Sequence, residues 1–283
     1  MVIKVENVQK RYKDFCLNCS IQVEEGFVTG IIGANGAGKS TTFKAILDLI
    51  KTDSGTIEIF GKNSRNMTVT DKQQIGVVLA ESTFNDLLTI SDMVPIMKAM
   101  YPKFCKDDFI KKCEKYDLPL RKQLKDFSTG MKAKCKLLLA MSYEAKLLIL
   151  DEPTAGLDAV VRSELLDEMR EYMSQDGRAI LVSSHISSDL EGFCDDLYFL
   201  QNGSVLFHED TDVILASYAI LKVSEEQEQM LDKTYISYRK KVSYGYELLT
   251  KEKQFYTDKY PGIIVEKGSI DDVLLMVTKG ERI

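Results

Sequence analysis

Between Phe27 and Ile50 the chain runs from a short apolar stretch, Phe27-Val28-Thr29-Gly30-Ile31-Ile32, into Gly33-Ala34-Asn35-Gly36-Ala37-Gly38-Lys39-Ser40 and then into a helical pattern. Few orders of elements restrict a fold as tightly. Glycine lacks a Cβ, so a glycine-rich run can turn sharply and bring its N–H groups close to an anion. Beyond the run, Phe43, Ile46, Leu47 and Ile50 recur at i, i+3, i+4 and i+7, which predicts a helix over 40–50. Strand, glycine loop and helix in this order gather loop N–H groups and the positive end of a helix dipole around one point, a phosphate-binding loop. Lys39 is then placed to reach the β- and γ-phosphates of a nucleotide, and the Ser40 hydroxyl to ligate magnesium.

A second feature fits the first. Leu147-Leu148-Ile149-Leu150 and Ala179–Val182 are wholly apolar runs of strand length, as in a parallel sheet buried on both faces, and Val160–Met173 between them reads as a helix. Ligands in open α/β sheets bind beyond the carboxyl ends of the strands. Asp151 ends the first of these runs and is the natural second magnesium contact, through water. Glu152 then faces the space beyond the γ-phosphate, where a carboxylate can orient or deprotonate an attacking water. A carboxylate that merely ends a strand leaves the glycine loop in the same chain unexplained. Nucleoside triphosphate hydrolysis explains both.

The rest of the chain gives the frame. Val2–Val5 and Phe15–Val23 read as strands joined by a turn over 10–14, residues from about 88 to 143 are mostly helical in pattern, and the rhythm changes after about 216. There, Ile220–Val223 is strand-like, Glu225–Lys233 helix-like and 235–246 rich in aromatic residues. The expected architecture is α/β, with a β-rich N-terminal subdomain, a helical subdomain over about 81–145 within a main domain of 1–215, and a small α+β extension over 216–283. A net charge of −6 argues against nucleic acid as a partner. Met1–Glu6 lacks the charged start and apolar core of a signal peptide, and no stretch reaches the roughly 20 apolar residues that span a bilayer. A cytosolic chain is expected, with any membrane contact made through a partner. Of six cysteines, only Cys16 and Cys19 have metal-like spacing, but three residues apart on a strand they point to opposite faces, so structural thiols are expected. His208 has no catalytic context, and Lys132 and Lys136 read as a solvated helix face.

These motifs together resemble the ATP-binding subunit of an ABC transporter, over residues 1 to about 215. Gly33–Thr41 is similar to the Walker A motif and Leu147–Glu152 to the Walker B motif with its catalytic glutamate. Phe127-Ser128-Thr129-Gly130-Met131 stands where the family has its signature motif, 23 residues before Asp151. Ala155-Gly156-Leu157-Asp158 is similar to the D-loop, His185 to the switch histidine, and Tyr12 falls where the family stacks an aromatic ring on adenine. The resemblance implies ATP and Mg2+ as ligands, contacted by Tyr12, Gly33, Asn35, Gly36, Gly38, Lys39, Ser40 and Thr41, with Glu152 and His185 catalytic and Ser40 and Asp151 at the metal. It also implies a head-to-tail dimer, of two copies or of paralogues, in which Ser128, Gly130 and Asp158 of one protomer complete the site of the other.

Two departures from the family pattern stand out. The usual Leu-Ser-Gly-Gly-Gln signature is here Phe127-Ser128-Thr129-Gly130-Met131, which adds a Cβ at Thr129 and removes an amide at Met131. The glutamine usually found after the strand at Gly76-Val77-Val78-Leu79 is Ala80, or Glu81 if the register slips by one. These departures and the C-terminal extension are similar to bacitracin-resistance, antimicrobial-peptide and phenol-soluble-modulin exporters. The resemblance therefore implies a subunit on the cytoplasmic face of the membrane that drives a separately encoded permease, docked near Phe84-Asn85-Asp86-Leu87-Leu88, and exports a peptide or other amphipathic compound. The alternatives are a nucleotide-gated regulatory subunit with weak turnover, for which Thr129 and Ala80 leave room, and a soluble ABC-type ATPase, which the single cassette and negative charge disfavour.

Overall fold

The structure, a computed structural model, describes residues 1–81 and 85–283. Phe84, at the start of the expected docking segment, lies outside the described residues.

Strands β1 (Ile3–Arg11) and β2 (Cys16–Val23) form the first hairpin, and β2 buries every second side chain, Leu17, Cys19, Ile21 and Val23. Contrary to the turn expected over 10–14, β1 continues through Arg11, with Lys10 opposite Leu17 and Arg11 opposite Cys16. Asp53 holds it extended: its carboxylate accepts the Arg11 N–H at 2.7 Å and lies 3.4 Å from Lys10 Nζ. Strand β3 (Val28–Ile32) is wholly buried and leads through the glycine loop into helix α1 (Lys39–Ile46). The helix ends one turn sooner than its apolar pattern predicts. Asp48 adopts a left-handed φ of 55°, while the N–H groups of Asp48 and Leu49 return to the carbonyls of Ala45 and Lys44. That is a Schellman closure without its usual glycine.

Strands β4 (Ser54–Ile59) and β5 (Lys62–Asn63) follow, then the single turn α2 (Val69–Lys72) and strand β6 (Ile75–Val78). The helical region is α3 (Ile90–Met100), α4 (Lys106–Lys115) and α5 (Thr129–Met141). Next come β7 (Leu147–Asp151), α6 (Ala159–Met173), β8 (Ala179–Ser184), the single turn α7 (Ser187–Leu190), β9 (Asp196–Gln201) and β10 (Ser204–Asp210). The sheet order is β5-β4-β1-β2-β10-β9-β3-β8-β7-β6. Strands β9, β3, β8, β7 and β6 are parallel, as their unbroken apolar runs predict, and β4, β1 and β2 are antiparallel. The β-rich N-terminal part is thus continuous with the P-loop sheet, because β2 joins β10 in parallel at Ser204–Asn18.

One core lies on the α1 side of this sheet and includes Leu17, Ile21, Phe43, Ile46, Ile149 and Leu181. The other lies beneath the helical region. Helix α6 is tied to α4 by Glu168, a buried carboxylate that accepts from Lys112 at 2.8 Å and from Lys115 and Tyr116 at 2.7 Å.

The C-terminal elements are α8 (Thr211–Ser217), β11 (Ala219–Val223), α9 (Glu225–Met230), β12 (Ile236–Val242), β13 (Gly245–Thr250), α10 (Lys253–Lys259), β14 (Ile264–Lys267), α11 (Ile270–Lys279) and β15 (Glu281–Arg282). Their strands form an antiparallel sheet ordered β14-β11-β13-β12-β15. Helix α9 stops at Met230, short of the Lys233 expected, where Leu231 turns extended and buries its side chain. Helix α11 packs on α7 and α8, and its Ile270, Val273, Met276 and Val277 join the same core as the helical region.

Cys16 is exposed and Cys19 buried, on opposite faces of β2. Burial pushes the Cys19 thiol up to about 11 and those of Cys113 and Cys135 up to about 12, so these thiols stay protonated and act as small apolar groups. No cluster of three His, Cys, Asp or Glu suited to a metal occurs among the described residues. His208 stacks on Tyr198 with centroids 3.9 Å apart, and its Nε2 lies 2.7 Å from Asp196.

Candidate functional site

The glycine loop has the conformations its composition implies. A Cβ at Gly33 would fall 2.3 Å from the Leu200 carbonyl, and Gly36 has φ +83°. Gly38, the residue before α1, has φ +112°, and a Cβ there would fall 2.9 Å from Phe15 Cζ. No side chain caps the start of α1. The helix is held instead by burial of Phe43 and Ile46, roughly 1.5–3 kcal/mol each, which outweighs the missing cap at about 1 kcal/mol. Its first N–H groups are therefore left for an anion. A Gly38→Ala chain is expected to lose about 1–2 kcal/mol from left-handed strain, before any displacement of Phe15, and to bind ATP more weakly. Denaturant melts and ATP titration of the purified chain check both effects.

Lys39 is 6% exposed and curls back over the loop, its Nζ donating to the Gly33 carbonyl at 2.7 Å. The same ammonium lies 3.0 Å from Glu152 Oε1. These groups line a cleft of about 310 Å³ with Phe15, Asn35, Ser40 and Ala80.

Glu152 reaches the cleft because the chain turns sharply after β7. Its φ is +51°, unusual for a residue with a Cβ. Its N–H donates to both the carbonyl (3.2 Å) and the hydroxyl (3.0 Å) of Ser183 on β8, which hold the turn in place. The Ser183 hydroxyl donates in turn to Asp151 Oδ1 at 2.6 Å, and Asp151 is buried. On the far side of the carboxylate, Glu152 Oε2 lies 2.6 Å from His185 Nδ1 and accepts the His185 backbone N–H at 3.3 Å. One carboxylate is thus bracketed by the loop lysine and by a histidine from the end of the next strand. The geometry brings together Lys39, Asp151, Glu152 and His185, which the sequence spreads over more than a hundred residues.

Ser40 and Thr41 line the same cleft, at the start of α1. Ser128, Gly130 and Asp158 do not line it. Ser128 caps α5, accepting the Met131 N–H at 3.2 Å, and Asp158 caps α6, accepting the N–H groups of Val160 and Val161 at 3.0 Å each. A Cβ at Gly130 would fall 3.2 Å from Val161 Cγ2, so these two helix starts are packed together.

Sequence reasoning missed one residue of the cleft. Phe15 lines the cleft against Gly38, whereas Tyr12 stands 44% exposed on the turn beside it, ring centroids 6.2 Å apart. The signal was present in Phe15 itself, an apolar ring at the mouth of a hairpin that leads to the loop. Of the two residues where the family glutamine is expected, Ala80 lines the cleft. Glu81 pairs instead with Lys44 at 2.7 Å, a hydrogen bond that raises the Lys44 pKa. Lys136 is half-buried rather than fully solvated, and burial, with Lys132 nearby, lowers its pKa. Lys132 lies 3.5 Å from Asp86, so Asp86 and helix α5 are in charge contact.

Residues 16–155 match the family described as ABC transporter. The ABC transporter ATP-binding protein YtrB of Bacillus subtilis is 31% identical over 77% of this chain and 78% of its own length. The bacitracin transport ATP-binding protein BcrA of Enterococcus faecalis is also 31% identical, over 72% of this chain and 68% of its own. The lantibiotic transport ATP-binding protein SrtF of Streptococcus pyogenes is 30% identical over 75% and 92%. Among solved structures, an ATP-binding subunit of an ABC transporter superposes with a TM-score of 0.68 at 28% identity, covering 76% of this chain and 92% of that one. A dimeric ATP-binding cassette bound to ADP and Pi shares the fold, with a TM-score of 0.66 at 20% identity over 74% and 98%.

Proposed function

The chain belongs to the ABC transporter ATP-binding proteins, and from that premise we propose how its residues hydrolyse ATP and what the reaction drives. The observation that carries the reading is the bracketing of Glu152 between Lys39 and His185. The loop N–H groups from Gly33 to Thr41 and the Lys39 ammonium bind the phosphates, and Phe15 with Tyr12 covers the base. Arriving γ-phosphate competes with Glu152 for Lys39 and frees its carboxylate to take a proton from the attacking water. His185 holds the other carboxylate oxygen in the structure and turns from it to the phosphate when the nucleotide arrives. The Ser40 hydroxyl and Asp151 fit magnesium, since both are hard oxygen donors and phosphate oxygens and water complete such a site without a larger carboxylate cluster. Bound there, the ion neutralises charge on the phosphates.

Because Ser128, Gly130 and Asp158 stand outside the cleft, a second subunit supplies them. Their N-terminal helix positions suit an anion held by the partner. The dimer in turn drives a separate permease on the cytoplasmic face of the membrane. The contact of Asp86 with Lys132 supports a link from the docking segment to α5, and no helix among the described residues is long and apolar enough to cross a membrane itself. The relatives named for bacitracin and lantibiotic transport support a peptide or amphipathic cargo moved outward.

Light scattering on the Glu152→Gln chain tests the shared site. It is expected to be monomeric alone and dimeric with MgATP. A chain that binds ATP but stays monomeric would mean that Thr129 and Met131 have abolished closure between like subunits.

A further inference from the structure

Two stretches of chain meet at the cleft, residues 151–158 from the end of β7 onward and residues 183–190 from the end of β8 onward. Beyond the pairing of β7 with β8 and the bonds of Ser183 to Asp151 and Glu152, two side-chain contacts join them. The first joint is the contact of Glu152 with His185 at 2.6 Å. The second is buried and uses neither residue. Thr154, two residues beyond Glu152, donates its hydroxyl to Asp189 Oδ2 at 2.6 Å. Arg162 Nη1 on α6 lies 3.3 Å from Asp189 Oδ1, and Arg162 Nη2 donates to the Leu157 carbonyl at 3.4 Å. Asp189 is four residues beyond His185, and it and Thr154 are 3% and 2% exposed. One carboxylate oxygen of Asp189 thus reaches the other stretch and the second reaches helix α6.

The two joints differ in what turnover asks of them. On the reading above, on which this inference rests, Glu152 and His185 must shift from each other towards water and phosphate. Past Ser183, where the strand pairing ends, another contact must then keep the two stretches in register. Helix α7, which carries Asp189, cannot do so unaided. It is one turn long, and the residue before it, Ile186, offers no side-chain cap. A single turn lacks the length to hold itself together in water, so tertiary contacts set its place.

We infer that Asp189, with Thr154 and Arg162, is a positioning device that holds His185 in register with Glu152 and with the Asp158 turn while the direct contact opens. None of the three residues lines the cleft. Arg162 extends its reach to Leu157, next to the residue that caps α6. The carboxylate therefore fixes three parts at once: the turn after Glu152, the segment bearing His185, and the start of α6.

The test uses MgATP turnover and ATP binding by the full-length chain carrying Thr154→Val, Thr154→Ser or Asp189→Asn. Valine keeps the shape and removes the donor; serine keeps the donor. Asparagine keeps an acceptor for Thr154 but sets a neutral amide against Arg162. Thr154→Val and Asp189→Asn are expected to lower kcat by about 10–10²-fold, the scale for a slight misplacement of catalytic groups. The KM and Kd for ATP should stay within about twofold, since the phosphate loop is untouched. Thr154→Ser should stay within about threefold of the unmodified kcat, because it restores the hydrogen bond.

The inference is overturned if Thr154→Val folds and turns over at the unmodified rate. It is equally overturned if kcat and ATP affinity fall together, or if serine does no better than valine, since either result describes packing alone. Should Thr154→Val fail to fold, Asp189→Asn gives the same reading by the same criteria. Glu152→Gln, run alongside, separates the two levels. Full turnover by that variant removes the proposed chemistry, whereas an inactive Glu152→Gln beside a fully active Asp189→Asn removes only the positioning role.

Discussion

Glu152→Gln is expected to lower ATP turnover about 10²–10⁴-fold, the range for removal of a general base, while tightening ATP binding. The second half of this expectation follows from the structure. The Glu152 carboxylate sits 3.0 Å from the Lys39 ammonium, where it competes with an incoming phosphate. An amide has no charge to set against Lys39, so the phosphate meets less competition. The variant also keeps an oxygen for the His185 N–H, so the local turn should survive. Phosphate release at saturating MgATP gives the turnover, and titration calorimetry the affinity. Unchanged turnover would remove Glu152 from the mechanism; weaker binding would mean that its carboxylate does not compete for the lysine.

Lys39→Ala carries the second large effect. It is expected to weaken ATP binding by about 10–10²-fold, since charge-assisted hydrogen bonds contribute roughly 1.5–3 kcal/mol. The same substitution strands Glu152, which is 13% exposed at its side chain and has Lys39 as its cation. An unpaired carboxylate in such a place is costly, so the single variant should also melt earlier. The double variant Lys39→Ala/Glu152→Gln should recover much of that stability without recovering ATP binding. Such a cycle separates two roles of one lysine, as counter-ion and as phosphate ligand. Equal ATP affinity in Lys39→Ala would undo the phosphate-cradle assignment.

What could be read from the sequence was local or periodic. The glycine loop, the buried parallel strands and the acidic pair at the end of β7 are each written in a short run of residues, and the structure forms the strands where those runs lie and lines one cleft with the loop and Glu152. Ends of elements were harder. The stop of α1 depends on Asp48 taking a left-handed conformation, which its side chain tolerates but does not announce. The extension of β1 to Arg11 depends on Asp53, some forty residues away in sequence. Long-range facts had no local sign at all. The junction of β2 with β10, the contact of Lys39 with Glu152 and the pairing of Glu81 with Lys44 arise only once the sheet has closed. For the same reason the expected adenine platform, Tyr12, was found by its position, whereas the ring that reaches the loop is Phe15.

The packing of α11 on α7 and α8 bears on what counts as the folding unit. Four of its side chains, Ile270, Val273, Met276 and Val277, are buried in a core shared with Leu190, Phe193 and Ile214. At roughly 1.5–3 kcal/mol each, their burial is comparable to the whole net stability of a typical domain, about 5–15 kcal/mol. Part of that burial is internal to the C-terminal region, yet the remainder covers apolar surface beside the turn that follows His185. The last seventy residues therefore serve the preceding cassette as a missing wall serves a room: thermodynamically, the fold of the catalytic end is not complete until the far end of the chain has arrived.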